Sequence, residues 1–302
     1  MVPRVPLHCG NAGTSEHSVP HAAPGTIEAS LNYLAPGDVA PQVRIYPPSS
    51  GLPTMQTQLA KHVVAIRDAR PEAQSLRLDE HGFELHSGRT DFTSFFDEAA
   101  VRATYYPEVQ QRLERLLGAH AVIAFDHNVR SVTRAARGEP GIRAPADQVH
   151  NDYTERSGPK RKLEVLAAAG RSNLADRHVA FVNLWRPMVG PVYDQPLAVC
   201  DARSVAPSDL VNTEILHFME DNLVEPRHRG DVHSVLYNPA HRWYYVQAMQ
   251  PEEFLLLKCF DSRIDGRVRF TPHSAFENPA CPRDFVARES IEVRTLVVFD
   301  ET

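Results

Sequence analysis

The chain has 302 residues, a net charge of −6 and 42% hydrophobic residues. That length can bury a substantial core in one large domain, and its 32 Lys and Arg form neither a stripe for nucleic acid nor a polybasic segment for a membrane. Met1 to Gly25 lacks the apolar run of a signal peptide and no stretch reaches the ~20 apolar residues of a membrane span, so a cytoplasmic protein is expected. Cys9, Cys200, Cys259 and Cys281 are scattered without CxxC spacing, which argues against a disulfide framework and a thiolate zinc site.

In chain order, residues 1–25 are rich in Pro, Gly, His and Ser without a period and read as a flexible tail, leaving 26–302 as a single domain. Residues 26–60 read as extended connections wrapping the core. Lys61 to Asp68 is a strand candidate, and Ser75 to Leu78 with Gly82 to Leu85 suggests a hairpin turning at Asp79-Glu80-His81. Asp91 to Leu117 has a helical pattern, with Val109, Leu113, Leu116 and Leu117 on one face and Gly118 as its stop. Strand candidates then dominate: Ala121 to Phe125, Val179 to Trp185, Pro196 to Val199, Trp243 to Met249, Phe254 to Phe260, Val268 to Phe270 and Ser290 to Phe299. Shorter helices are expected near Pro159 to Ala168 and Pro207 to Leu216, and the polar stretch Glu225 to Arg242 resembles a surface loop. Many strands with few flanking helices predict a mainly β double-stranded β-helix, the jelly roll of two facing sheets.

Chemistry gathers at His150-Asn151-Asp152. On an extended backbone, residues two apart share a face, so His150 and Asp152 could bind one metal, with His273 as the third member of a 2-His-1-carboxylate triad. His228, His233 and His241 are alternatives that lie in the polar stretch. In Arg288-Glu289-Ser290-Ile291-Glu292-Val293-Arg294, Ile291 and Val293 alternate with polar residues. Arg288 and Ser290 would share a face, where a guanidinium fork and a hydroxyl could grip a carboxylate. Glu292 with Arg294 reads equally well as an ion-pair ladder on a solvated face. Tyr153, Asn183, Trp185 and Arg186 are candidate substrate contacts, and Lys258 and Asp261 read as structural. No GxGxxG, P-loop or GxSxG occurs.

The segments VHNDYT (149–154), NLWRP (183–187), ARSV (202–205), KCFDSRIDGRVRFTPHSAF (258–276) and RESIEVRTLVVF (288–299) resemble the hydroxylase/desaturase family of natural-product biosynthesis, which includes a fungal gibberellin desaturase. The resemblance implies a jelly-roll oxygenase using Fe(II), 2-oxoglutarate as cosubstrate and O2 to hydroxylate, desaturate or cyclise a small natural product. It places His150, Asp152 and His273 at the metal and Arg288 and Ser290 at the cosubstrate. The interval from His273 to Arg288 is longer than the wider oxygenase group usually has, so Arg283, Arg288 and Arg294 all stand as candidate anchors. A metal-dependent hydrolase and a non-catalytic jelly-roll binding protein are the rival readings. Neither requires a dicarboxylate anchor.

Overall fold

The computed structural model describes residues 25–54 and 57–300, so the expected tail lies almost wholly outside the described residues. The strands are β1 (Thr26–Leu34), β2 (Gln42–Ile45), β3 (Leu59–Asp68), β4 (Phe83–Ser87), β5 (Ala121–Ser131), β6 (Ile142–Arg143), β7 (His150–Asn151) and β8 (Val179–Pro187). They continue as β9 (Leu197–Cys200), β10 (Leu210–His217), β11 (His228–Val235), β12 (Trp243–Tyr245), β13 (Glu253–Asp261), β14 (His273–Ala275) and β15 (Glu289–Val298). A large sheet runs β1-β3-β12-β9-β14-β7-β11-β10-β2, and a smaller one runs β4-β13-β8-β15-β5-β6. Facing each other, they form the jelly-roll core.

Side-chain alternation explains how each strand serves two layers. In β8, Val179, Phe181 and Trp185 pack between the sheets with Leu197 and Val199 of β9, Leu255 and Leu257 of β13, and Leu296 and Val298 of β15. Ala180, Val182 and Leu184 face the opposite way, against Tyr106, Val109 and Leu113 of the helix Tyr106–Leu117. Being covered on both faces, β8 can be apolar at almost every position. Ala198, Cys200, Trp243 and Tyr245 occupy the far face of the large sheet with Tyr33, whose hydroxyl accepts the Trp243 indole N–H at 2.7 Å.

Local structure departs from the sequence expectations where tertiary pairing overrides pattern. The first strands are not mere wrapping connections: β1 pairs along its whole length with β3, and β2 runs parallel to β10. The expected helix Pro207 to Leu216 is a single 3-10 turn, Pro207–Asp209, followed by β10. The presumed loop Glu225 to Arg242 contains β11, which pairs with both β10 and β7 and buries His233. Ser75 to Leu78 forms no strand, and β4 pairs with β13 instead. Trp243 to Met249 shortens to β12, and Val268 to Phe270 is irregular backbone. The helix expected from Asp91 starts at Glu98, where the Asp97 carboxylate caps the Ala100 N–H, and passes through a π turn before Tyr106. Gly118 ends it in the left-handed conformation at φ 58°.

Candidate metal centre

β7 and β14 are neighbours in the middle of the large sheet, and His273 pairs directly with His150. Their imidazole centroids are 4.5 Å apart, and Asp152, just past the end of β7, turns back beside them. One ligand atom from each of His150, Asp152 and His273 lies within 4.8 Å of the others. His150 Nδ1 donates to the Gln148 carbonyl at 2.8 Å and His273 Nδ1 to the Thr271 carbonyl at 3.0 Å. A carbonyl only accepts, so each neutral ring carries its proton on Nδ1 and keeps the Nε2 lone pair for a metal. Burial, then neighbouring His273, pushes the His150 pKa down to about 4, which holds it neutral. Two imidazoles presenting Nε2 and one carboxylate fit a ferrous ion with three positions left open.

Asn151 is the residue that sequence reading passed over. It points opposite to its neighbours, fully buried. Its amide donates to the Tyr153 carbonyl at 2.8 Å and the Cys259 carbonyl at 2.9 Å, and accepts the Thr271 N–H at 3.0 Å. One side chain therefore ties the His-x-Asp turn both to β13 and to the approach of His273. Thr271 in turn donates to the carbonyls of Gly82 and Lys258. Lys258 and Asp261, read as structural, form a buried pair at 2.9 Å.

Asp152 is held from the small sheet. The Asn183 amide donates to its Oδ2 at 2.8 Å and Arg294 Nε to the same oxygen at 3.0 Å. Burial alone would raise the Asp152 pKa, but Arg294, then His273 and His150, hold it well below the usual carboxylate range. Arg294 also bonds Asp126 at 3.0 Å, and its own pKa is raised because these carboxylates outweigh its burial. Asn183 donates further to Glu292 Oε1 at 2.7 Å, and its Oδ1 has no partner. The solvated ion-pair ladder considered for Glu292 and Arg294 is thus overturned. Both lie on the inner face of β15, opposite Trp185 and Asn183 of β8, because the sheet curls that face into the interior.

Arg288 is buried beside Ser290, donating from Nε to Ser290 Oγ at 3.2 Å and from Nη1 to the Gln195 carbonyl. Its guanidinium lies over Trp185, 4.9 Å from the ring centroid. Burial, then the charge of Arg130, pushes the Arg288 pKa down to about 9, so it remains a cation at neutral pH. Arg283, by contrast, is exposed. Tyr153 stacks on Phe181 at 4.3 Å and, with Asp152 and Arg294, lines an open cavity of about 1080 Å³. Arg186 is not brought to this site. Alternation along β8 sends it to the opposite face, where it donates to the Gly88 carbonyl and lies 5.6 Å from the Phe254 ring centroid. Trp185 faces inward but serves as the platform for Arg288.

The chain matches the family described as "Oxidoreductase/YMDC permease-like domain" over residues 31–298. No helix among the described residues is long and apolar enough to cross a membrane. The chain is 34% identical over 252 residues to "Hydroxylase/desaturase efuI" of Hormonema carpetanum, covering 79% of this chain and 84% of that protein. It is 32% identical over 247 residues to "Fe(II)/2-oxoglutarate-dependent dioxygenase nvfI" of Aspergillus novofumigatus, covering 78% and 83%. The solved structure of "iron and alpha-ketoglutarate-dependent endoperoxidase NvfI" superposes with a TM-score of 0.79 at 27% identity, covering 92% of this chain and 100% of that one. With the His and Asp ligand atoms gathered between two facing sheets, these similarities make the chain a member of the hydroxylase/desaturase family of Fe(II)/2-oxoglutarate-dependent oxygenases.

Proposed function

We propose that the protein is an Fe(II)- and 2-oxoglutarate-dependent dioxygenase that hydroxylates, desaturates or cyclises a small natural product held in the cavity over Asp152. The convergence of His150, Asp152 and His273, with both imidazole Nε2 atoms left free, carries this reading. Fe(II) held there, with 2-oxoglutarate and O2, supplies the oxidising power that no protein side chain has.

The protein's residues bind, orient and shield. Arg288 and Ser290 grip the far carboxylate of 2-oxoglutarate. Among the described residues no carboxylate is hydrogen-bonded to the Arg288 guanidinium, so its fork retains donors for an anion, whereas Arg294 is committed to Asp152 and Asp126. Asn183 and Arg294 orient the Asp152 carboxylate. Tyr153 on the cavity wall is offered to a substrate, whereas Asn183, fully buried, is engaged with Asp152 and Glu292. Phe181 and Trp185 behind them keep water from the reacting centre. The scattered free thiols Cys200, Cys259 and Cys281 suit the cytoplasm.

A zinc hydrolase would use the same three ligands but has no need for Arg288 and Ser290, and the relatives above carry oxygenase names. The test is aerobic turnover of 2-oxoglutarate with Fe(II), read as succinate. Wild type should form succinate even slowly without substrate, and Asp152→Ala should form none above the metal-free background. Equal succinate from both proteins would remove the triad assignment.

A further inference from the structure

We propose that Arg130 is a second cation for the far carboxylate of 2-oxoglutarate, closing on it from β5 opposite Arg288 and Ser290. This rests on the cosubstrate reading above and adds a residue to it. β5 and β15 are antiparallel neighbours, and Arg130 is the register partner of Ser290. Residues paired across two strands project from the same face of the sheet, their Cβ atoms ~5 Å apart. The next residue, Val129, packs outward in the layer under the helix, so Arg130 is turned inward with Ser290.

The environment of Arg130 is incomplete in the same way as that of Arg288. It is partly buried, and its guanidinium donates to the neutral Ala144 carbonyl at 2.7 Å. Among the described residues neither guanidinium is hydrogen-bonded to a carboxylate; the Asp194 carboxylate takes the Arg288 backbone N–H instead. Each is pushed below the ordinary arginine range by burial first, and the charge of Arg130 adds to that effect at Arg288. Glu292, which acts on both, is hydrogen-bonded to the Asn183 amide instead. Two partly desolvated cations flanking one hydroxyl repel unless an anion lies between them. A carboxylate there would take donors from both forks and from Ser290. Arg143 extends the row outward, being the register partner of Arg130 on β6 and part of the open cavity's wall.

The experiment is anaerobic calorimetry on the Fe(II)-loaded protein with two keto acids, 2-oxoglutarate and 2-oxobutyrate, the second lacking the far carboxylate. Arg130→Gln should weaken 2-oxoglutarate about ten- to a hundredfold, the usual range for a charged hydrogen bond. It should change the affinity for 2-oxobutyrate less than about threefold, since the metal end is untouched. Arg130→Lys keeps the charge without the fork and should fall between; it carries the same comparison if Arg130→Gln does not fold. Unchanged 2-oxoglutarate affinity would reduce Arg130 to a charge balancing Glu292, and equal weakening of both acids would move it to the metal end; either overturns the proposal. Wild type that takes up neither acid would remove the cosubstrate reading itself, and this assignment with it.

Discussion

At the scale of single residues, His150 and Asp152 are legible in the sequence because residues two apart on an extended backbone share a face. His273 is legible because it precedes the last strand with Arg288, outside the polar stretch that holds the other candidate histidines. Asn151 and Arg130 are not. Spacing says which way a side chain points, but not what waits on the other side. Asn151 makes three hydrogen bonds to buried backbone groups, so Asn151→Ala should destabilise the fold by about 2–4 kcal/mol and weaken Fe(II) binding through loss of the turn. Urea unfolding with and without Fe(II) checks both effects, and a variant as stable as wild type would contradict the role.

His233 gives a second residue-level prediction. It meets Phe270 edge-on at 4.7 Å, and burial, opposed by Glu155, pushes its pKa from 6.5 down to about 4. A histidine kept neutral in the fold but free to protonate when unfolded contributes fully above pH 6.5, and that contribution is lost as pH falls towards 4. Going from pH 7 to pH 5 should therefore cost about 2 kcal/mol at this residue. His233→Gln should flatten the profile by that amount; parallel profiles would contradict it.

Whole elements were read well where the strand is long and its apolar run unambiguous, as in β8, β13 and β15. They were misread where the strand borrows stability from its neighbours. β10 and β11 carry Asn212, Glu214, His228 and Arg229 on their exposed sides, so composition suggests helix or loop, and only the hairpin register makes them strands. β7, β12 and β14 have two or three residues each, too few for any periodic signal. β8 also corrects Arg186, since neighbours on one strand cannot both face the cavity. Arg186→Gln should lower the melting temperature by disturbing the layer under the helix while leaving 2-oxoglutarate affinity within about twofold of wild type. A large affinity loss would return Arg186 to the site.

Gly82 belongs to the same scale. It sits at φ 88°, and a Cβ there would meet Thr271 Oγ1 at 2.1 Å. Gly82→Ala should cost about 1–3 kcal/mol and, by shifting Thr271, should disturb His273. Denaturant midpoints together with Fe(II) affinity would show whether the two effects travel together.

For the molecule as a whole, the sequence conveyed the mainly β class and the jelly roll because so many β-prone runs alternate with turns. The pairing order that unites β7 with β14 is set by contacts more than a hundred residues apart and has no local signature. What that order achieves is an opposition of two surfaces. The large sheet presents two imidazoles and a carboxylate, and the small sheet presents Asn183, Glu292, Arg288, Arg294 and Arg130. The central claim is that these surfaces jointly hold Fe(II) and 2-oxoglutarate. Anaerobic addition of Fe(II) and 2-oxoglutarate to metal-free protein tests it most directly, followed by the visible charge-transfer absorption of the chelated keto acid. A band requiring both components, absent in His273→Ala and needing at least about tenfold more 2-oxoglutarate in Arg288→Ala, is the predicted result. No band in the wild type, or one indifferent to both substitutions, would contradict the account.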